Sequence, residues 1–166
     1  MAVLQKKIDF ALVFTVKNAN PNGDPLNGNI PRLTLDGHGE LSDVCLKRKI
    51  RNRLLEFGEN IFVQSDDYRK DEFKSLKARA DSVLKDVAKD KEKYQKLACQ
   101  TWIDVRSFGQ VFAFKGNDLS VGIRGPVTIQ SAFSVDTVNV TSLQITKSVN
   151  SEDKDGKKAS DTMGMK

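Results

Sequence analysis

Residues 8–17 alternate in character. Phe10, Leu12, Phe14 and Val16 stand against Ala11, Val13 and Thr15, which predicts a strand with one strongly apolar face. The pattern then stops. Residues 18–39 are crowded with Asn, Gly, Pro and Asp, and they predict a loop of about twenty residues, a length more often functional than idle. Helical spacing begins at Ser42, a good N-cap, with Asp43 suited to the first turn. At about 100° per residue, Leu46, Ile50, Leu54 and Phe57 gather on one side of that helix. A second helical stretch follows in residues 66–100, where Phe73, Leu76, Ala80, Val83, Leu84, Val87 and Ala88 recur within a nearly balanced mixture of charges. It predicts a solvent-facing helical insertion.

The remainder reads differently. Residues 98–108, with Trp102, Ile103 and Val105, lead through Gly109 into Val111, Phe112, Ala113 and Phe114, a run apolar enough to be buried. Residues 119–133 contain GIRGP, whose two glycines and proline demand a bulge or bend. Residues 138–149 are β-branched with partial alternation. From 150 onward the composition is polar, which predicts a flexible, hairpin-like projection.

Composition adds a partner to this outline. A chain of 166 residues is long enough for one domain with a real core. A net charge of +5 and a pI of about 9.2 tilt it toward a polyanion, although lysine used for solubility would give the same balance. The placement of charge says more. Lys47, Arg48, Lys49, Arg51 and Arg53 fall within seven positions. Lys47, Arg48 and Arg51 share an arc of about 100° beside the apolar stripe. A merely solvated face would intersperse acids at i+4. Only Asp43 and Glu56 flank the cluster, so the cations are expected to stand largely unpaired until phosphates neutralise them.

Candidate chemistry is sparse. Cys45 and Cys99 form no CxxC pair, which suits a reducing cytoplasm and argues against a disulfide framework or zinc site. Asp9 and Thr15 break the apolar N-terminus, so it does not read as a signal peptide, and no stretch approaches the roughly 20 apolar residues of a membrane span. The sequon at Asn139 is then incidental. With His38 the single histidine, a Ser-His-Asp or two-histidine arrangement within one chain is impossible, and no Walker loop or GxGxxG occurs. Asp24, Asp36, His38 and Glu40 lie in a turn-rich loop without a specific ligand motif. Asp104 and Arg106 read as an ion pair or a buried polar contact. No enzyme, metal or cofactor is expected.

Six strings then occur in order: NANPNGDP, DVCLKRKIRN, DVRSFGQVF, GIRGPVTIQSAFSVD, LQITKSVN and SDTMGMK. Together they resemble the crRNA-binding backbone subunit of type I CRISPR Cascade, in its type I-C branch, over nearly the whole chain. The resemblance implies an α+β fold: a modified RRM, or ferredoxin-like, palm with helical fingers and a thumb hairpin. It implies copies that polymerise along crRNA beside other Cascade subunits and support target DNA recognition, with no membrane involved. Lys47 and Arg51 are then the backbone contacts, with Arg48 beside them. Asn18, Asn20 and Asn22 lie near the RNA or the adjoining subunit. Residues 146–166 match the thumb, with Lys147 at its start and Met163 or Met165 as an adaptable apolar wedge between bases, or else as a loose hydrophobic anchor.

On this reading residues 1–65 give the first palm strand and helix, 66–110 the finger insertion, 111–149 further palm strands and 150–166 the start of the thumb. Members of the family continue past SDTMGMK, so the expectation is an N-terminal fragment with exposed edges and apolar surface. Two other readings remain. One is a metal-dependent ribonuclease using Asp24, by analogy with the related type III subunits. The other is a general RRM module, disfavoured because its K/R-G-F/Y-G/A-F-V-x-F/Y signature is missing.

Overall fold

A computed structural model describes residues 4–114, 120–146 and 162–165, with Thr146 and the last four given by their backbone alone. The chain is α+β. Among the described residues the order is β1 (Gly23–Asp24), β2 (Ile30–Pro31), β3 (His38–Leu41), α1 (Asp43–Glu56), α2 (Leu76–Leu84), a 3-10 turn (Lys85–Val87), α3 (Lys91–Thr101), α4 (Ile103–Phe108), β4 (Gly109–Phe112), β5 (Val121–Arg124), β6 (Ala132–Thr137), β7 (Gln144–Thr146) and β8 (Thr162–Met165). The strands pair two by two: β1 with β2, β3 with β6, β4 with β5 and β7 with β8. Two compact units result. One is Glu40–Phe133, the other Met1–Gly39 with Ser134–Lys166.

The first of these holds the main core. Phe62, Ala80, Leu84, Tyr94, Ala98, Trp102, Val105, Phe112 and Val121 are buried together. Their aromatic rings interlock, with Phe62 lying 4.8 Å from Trp102 and 4.9 Å from Phe112, and Tyr94 meeting Phe112 edge-on at 5.3 Å. Such tilted contacts suit the ring quadrupoles. The helical spacing read in residues 66–100 supplies this packing through Ala80 and Leu84, with Leu76, Val83 and Val87 against its rim. On β4 the pleat divides the apolar run: Phe112 is buried, whereas Val111 faces out. That corrects the expectation that the whole run is buried.

Two charged residues sit inside this unit. Asp104 is 1% exposed and Arg79 is 4% exposed. Residues 59–65 belong to no helix or strand, so their peptide groups need partners from elsewhere. Asp104 Oδ1 accepts from Phe62 N at 2.7 Å and Oδ2 from Val63 N at 3.0 Å. Arg79 Nη1 donates to the Phe62 carbonyl at 2.8 Å. The same guanidinium grips Asp71 with two bonds, from Nε at 2.7 Å and Nη2 at 2.8 Å.

The second unit departs most from the sequence reading. Residues 8–17 carry no strand, and Ile8, Phe10, Leu12, Val13, Phe14 and Val16 are exposed. Alternation says only that a segment would fit a pleated surface, and no neighbour among the described residues offers it a ladder. Residues 18–39 are also not one open loop. Gly23 pairs with Pro31 and Asp24 with Ile30. Leu33 bridges Gly39 around a turn in which Thr34 N donates to His38 O at 2.8 Å. Farther on, Gln144 pairs with Met165 and Ile145 with Gly164 in antiparallel register. Residues 138–143 carry no strand.

Hydrogen bonds from Arg79 hold the Asp71 carboxyl below its ordinary 3.8, against the opposing effect of burial. With the folded value below the unfolded one, the pair's contribution is complete above the unfolded value and is lost as pH falls through the folded one. Asp71→Asn is expected to lower stability at neutral pH by about 2 kcal/mol. It should also flatten the acid limb of a denaturation series below pH of about 4. Parent-like stability at every pH would contradict the role given to this pair.

Candidate nucleic-acid interface

The helix that carries the basic cluster is closed at both ends. Ser42 Oγ accepts from Cys45 N at 3.2 Å, and Asp43 lies in the first turn, where the helix dipole favours it. At the other end Gly58 takes φ +85°, Gly58 N bonds to Leu55 O at 3.1 Å and Glu59 N to Leu54 O at 3.0 Å. That is a Schellman closure, which needs a residue without Cβ at this point. Lys70 Nζ donates to the Leu55 carbonyl as well. Leu55 is the buried residue of α1, and Leu46, Ile50 and Leu54 are half-buried. Phe57, beyond the last helical residue, escapes the periodicity and is exposed under the Arg53 guanidinium, 4.7 Å from its ring.

The cations are not largely unpaired, which overturns the sequence expectation. Lys47 Nζ lies 3.0 Å from Asp43 Oδ2. Arg48 Nη2 reaches both oxygens of Asp67 at 3.0 Å. Arg51 Nε bonds to Asp104 Oδ2 at 3.0 Å, with the guanidinium 5.2 Å from the Phe108 ring and the side chain 13% exposed. Arg53 pairs with Glu56. Lys49 is exposed and has no partner among the described residues. Asp67 and Asp104 come from outside the helix, so a search for acids one turn away could not have found them. Asp104 is a buried polar contact, but its cation is Arg51; Arg106 instead donates to the Cys99 carbonyl at 3.4 Å.

These pairs differ in kind. Asp43 is held below its ordinary carboxyl value chiefly by the hydrogen bond from Lys47. Asp67 is lowered first by its own backbone N–H and to a smaller extent by Arg48. Both carboxylates stand in solvent, where an ion pair contributes little and exchanges readily. Arg51 is different. Its partner is buried and also anchors two peptide groups, so the guanidinium cannot leave without stranding a charge in the core.

The other candidates belong to the second unit. Asn18, at φ +51°, is exposed; Asn20 Nδ2 donates to Asn29 O at 2.7 Å and Asn22 Nδ2 to Gly23 O at 3.2 Å. The side chains of Asn20 and Asn22 therefore shape the β1–β2 turn. Asp24 organises the same turn: Oδ1 accepts from Leu26 N at 3.1 Å, and its carbonyl accepts from Asn27 N and Asn29 N. No group of three His, Cys, Asp or Glu placed to hold a metal exists among the described residues. Lys147 lies outside the described residues, as do the side chains of Met163 and Met165, whose backbone forms part of β8.

Comparison with known proteins places this helix in a family. The sequence matches the family described as CRISPR-associated protein Cas7 over residues 6–166. The chain belongs to the Cas7 family. A relative described as CRISPR-associated protein Cas7, from Haloferax volcanii, is 31% identical over 117 residues, covering 66% of this chain and 33% of the relative. The chain thus spans about a third of the length of the curated relative it matches. Every candidate position lies inside the span matched to the Cas7 family. No described helix is long and apolar enough to cross a membrane.

The division between exchangeable and buried cations is directly measurable. Arg51→Ala is expected to cost about 3 kcal/mol in denaturant unfolding, because Asp104 is left unpaired in the core. Lys47→Ala should change stability by less than about 1 kcal/mol. Equal effects of the two substitutions would contradict the distinction.

Proposed function

We propose that this Cas7-family chain is a non-catalytic, crRNA-binding backbone subunit of a cytoplasmic type I-C CRISPR interference complex. The observation that carries the reading is that Lys47 and Arg48 are held at the surface of a firmly capped helix by the solvated carboxylates of Asp43 and Asp67. A phosphodiester oxygen offers the same charge and acceptor geometry as those carboxylates, and RNA can replace them without disturbing the core. Arg51 then keeps the helix in place and does not itself reach for RNA. The fold in this reading is an RRM-like palm with helical fingers, with β7 and β8 the base of the thumb. Lys147 and the two thumb methionines complete the RNA contact, and Asn18 with the Asn20–Asn22 turn faces RNA or the next copy. Other Cascade subunits and further copies of the chain are its protein partners. Target DNA is read by base pairing to the guide, so the subunit needs shape and charge but no base code.

Fluorescence anisotropy with labelled single-stranded RNA across a salt series tests the reading. Binding should be sequence-tolerant and weaken steeply as salt rises. Lys47→Glu with Arg48→Glu should reduce the salt slope by about two and affinity by at least about tenfold, without loss of fold. Asp67→Asn, which removes the competing carboxylate, should tighten binding by up to about fivefold. Unchanged affinity in the double variant would refute the role of the helix.

A further inference from the structure

Asparagine is followed by glycine twice in the chain, at Asn22–Gly23 and Asn27–Gly28, both in the β1–β2 hairpin. At this dipeptide the chain can react with itself. The glycine nitrogen, with no Cβ to shield it, attacks the asparagine Cγ. A C–N bond forms, the side-chain nitrogen leaves as ammonia with the glycine's amide proton, and a cyclic succinimide remains. Water then opens the ring at either carbonyl, giving aspartate or isoaspartate. The sum is a water consumed, an ammonia released and a negative charge gained. The two pairs carry the same reacting groups, so any difference between them comes from the fold.

Asn22 is half-buried and tied down. Its Nδ2 donates to the Gly23 carbonyl at 3.2 Å, and its own carbonyl accepts from Arg32 N at 2.9 Å. Gly23 pairs with Pro31, and the Asn29 side chain occupies the place where a Cβ on Gly23 would stand. Bringing Gly23 N onto Asn22 Cγ breaks the side-chain bond and turns the peptide out of the ladder. Asn27 is different. Its side chain is exposed, and among the described residues neither that side chain nor the Gly28 N–H has a hydrogen-bond partner. Gly28 and Asn29, both at φ +59°, supply the positive pair that a type I′ turn requires, closed by Ile30 N on Asn27 O at 3.2 Å. That closure uses the Asn27 carbonyl and leaves Cγ and the next nitrogen uncommitted. Nothing lies within 4 Å of the point where a Cβ on Gly28 would stand, so solvent reaches the reacting atoms.

We propose that Asn27 is a self-modification site, at which Gly28 N converts the side chain through a succinimide to aspartate or isoaspartate while Asn22 is protected. The product places an anion at the tip of the hairpin. Isoaspartate also adds a methylene to the main chain, between the Asn27 nitrogen, bonded to Asp24 O at 3.0 Å, and the carbonyl that closes the turn. The chemistry does not depend on the function proposed above; only under that reading does the new charge face RNA.

Tryptic cleavage after Lys17 and Arg32 leaves both pairs in one peptide, so mass spectrometry compares their rates within a single fragment series. In the full chain held at mildly alkaline pH, deamidation at Asn27 should outpace that at Asn22 by at least about fivefold, the rate equivalent of the net hydrogen bond that Asn22 must give up. Unfolding the chain in guanidinium chloride should bring the two rates to near parity. An isoaspartate methyltransferase should label the aged chain, and Asn27→Gln, with circular dichroism matching the parent, should remove most of that label. Equal rates in the folded chain, or faster reaction at Asn22, would overturn the proposal. So would an Asn27 preference that persists unchanged in guanidinium chloride, which would assign it to local sequence and not to the fold.

Discussion

The backbone of one residue constrains much of this molecule. Phe62 places its ring between Trp102 and Phe112, in a segment with no regular structure to satisfy its backbone. Burying that ring takes the peptide N–H and C=O out of water, and each must be bonded or its desolvation would offset the gain from the ring. Asp104 takes the N–H and Arg79 takes the carbonyl. Each of those side chains then carries a buried charge that needs its own counterion. Asp71 answers Arg79, and Arg51 answers Asp104. The aromatic core therefore determines the fate of a cation on α1.

That commitment divides the basic cluster by chemistry. Arg51 lies beside Lys47 and Arg48 on the helix surface, but it belongs to the interior. Arg48 stands in solvent and Lys47 is half-buried, each held by a carboxylate that water and salt already screen. A polyanion could displace Asp43 and Asp67 while leaving the Arg51–Asp104 bond and the peptide anchors behind it untouched. On the proposed reading, an interface built this way would load without repacking. The rigidity comes from the caps of α1: the Ser42 hydroxyl at one end, Gly58 at the other, with the Lys70 ammonium on the Leu55 carbonyl.

In the unit Glu40–Phe133, β5 is pinned by the close approach of Gly109 and Gly125 to neighbouring backbone. In the other unit, the Asn and Asp side chains of the β1–β2 turn are largely spent on their own backbone, which is the ordinary use of Asx residues in turns. The apolar residues of 8–17 stand in solvent, a surface that soluble monomers rarely leave uncovered.

Local pattern determined what local forces control. The start of α1 at Ser42, the helices within residues 66–101 and the burial of Trp102, Val105 and Phe112 were legible because capping and periodicity act within one or two turns. The Asp43–Lys47 pair lies within one turn, yet counting flanking acids left Lys47 among the cations expected to be unpaired. The carboxylates on Arg48 and Arg51 were not legible: they are 19 and 53 positions away, and sequence spacing carries no information about charges that only folding brings within 3.0 Å. Residues 8–17 failed for a related cause, since alternation prepares a strand but a ladder partner makes one. Which cations are free is a property of the whole fold, because ion pairing depends on distance in space.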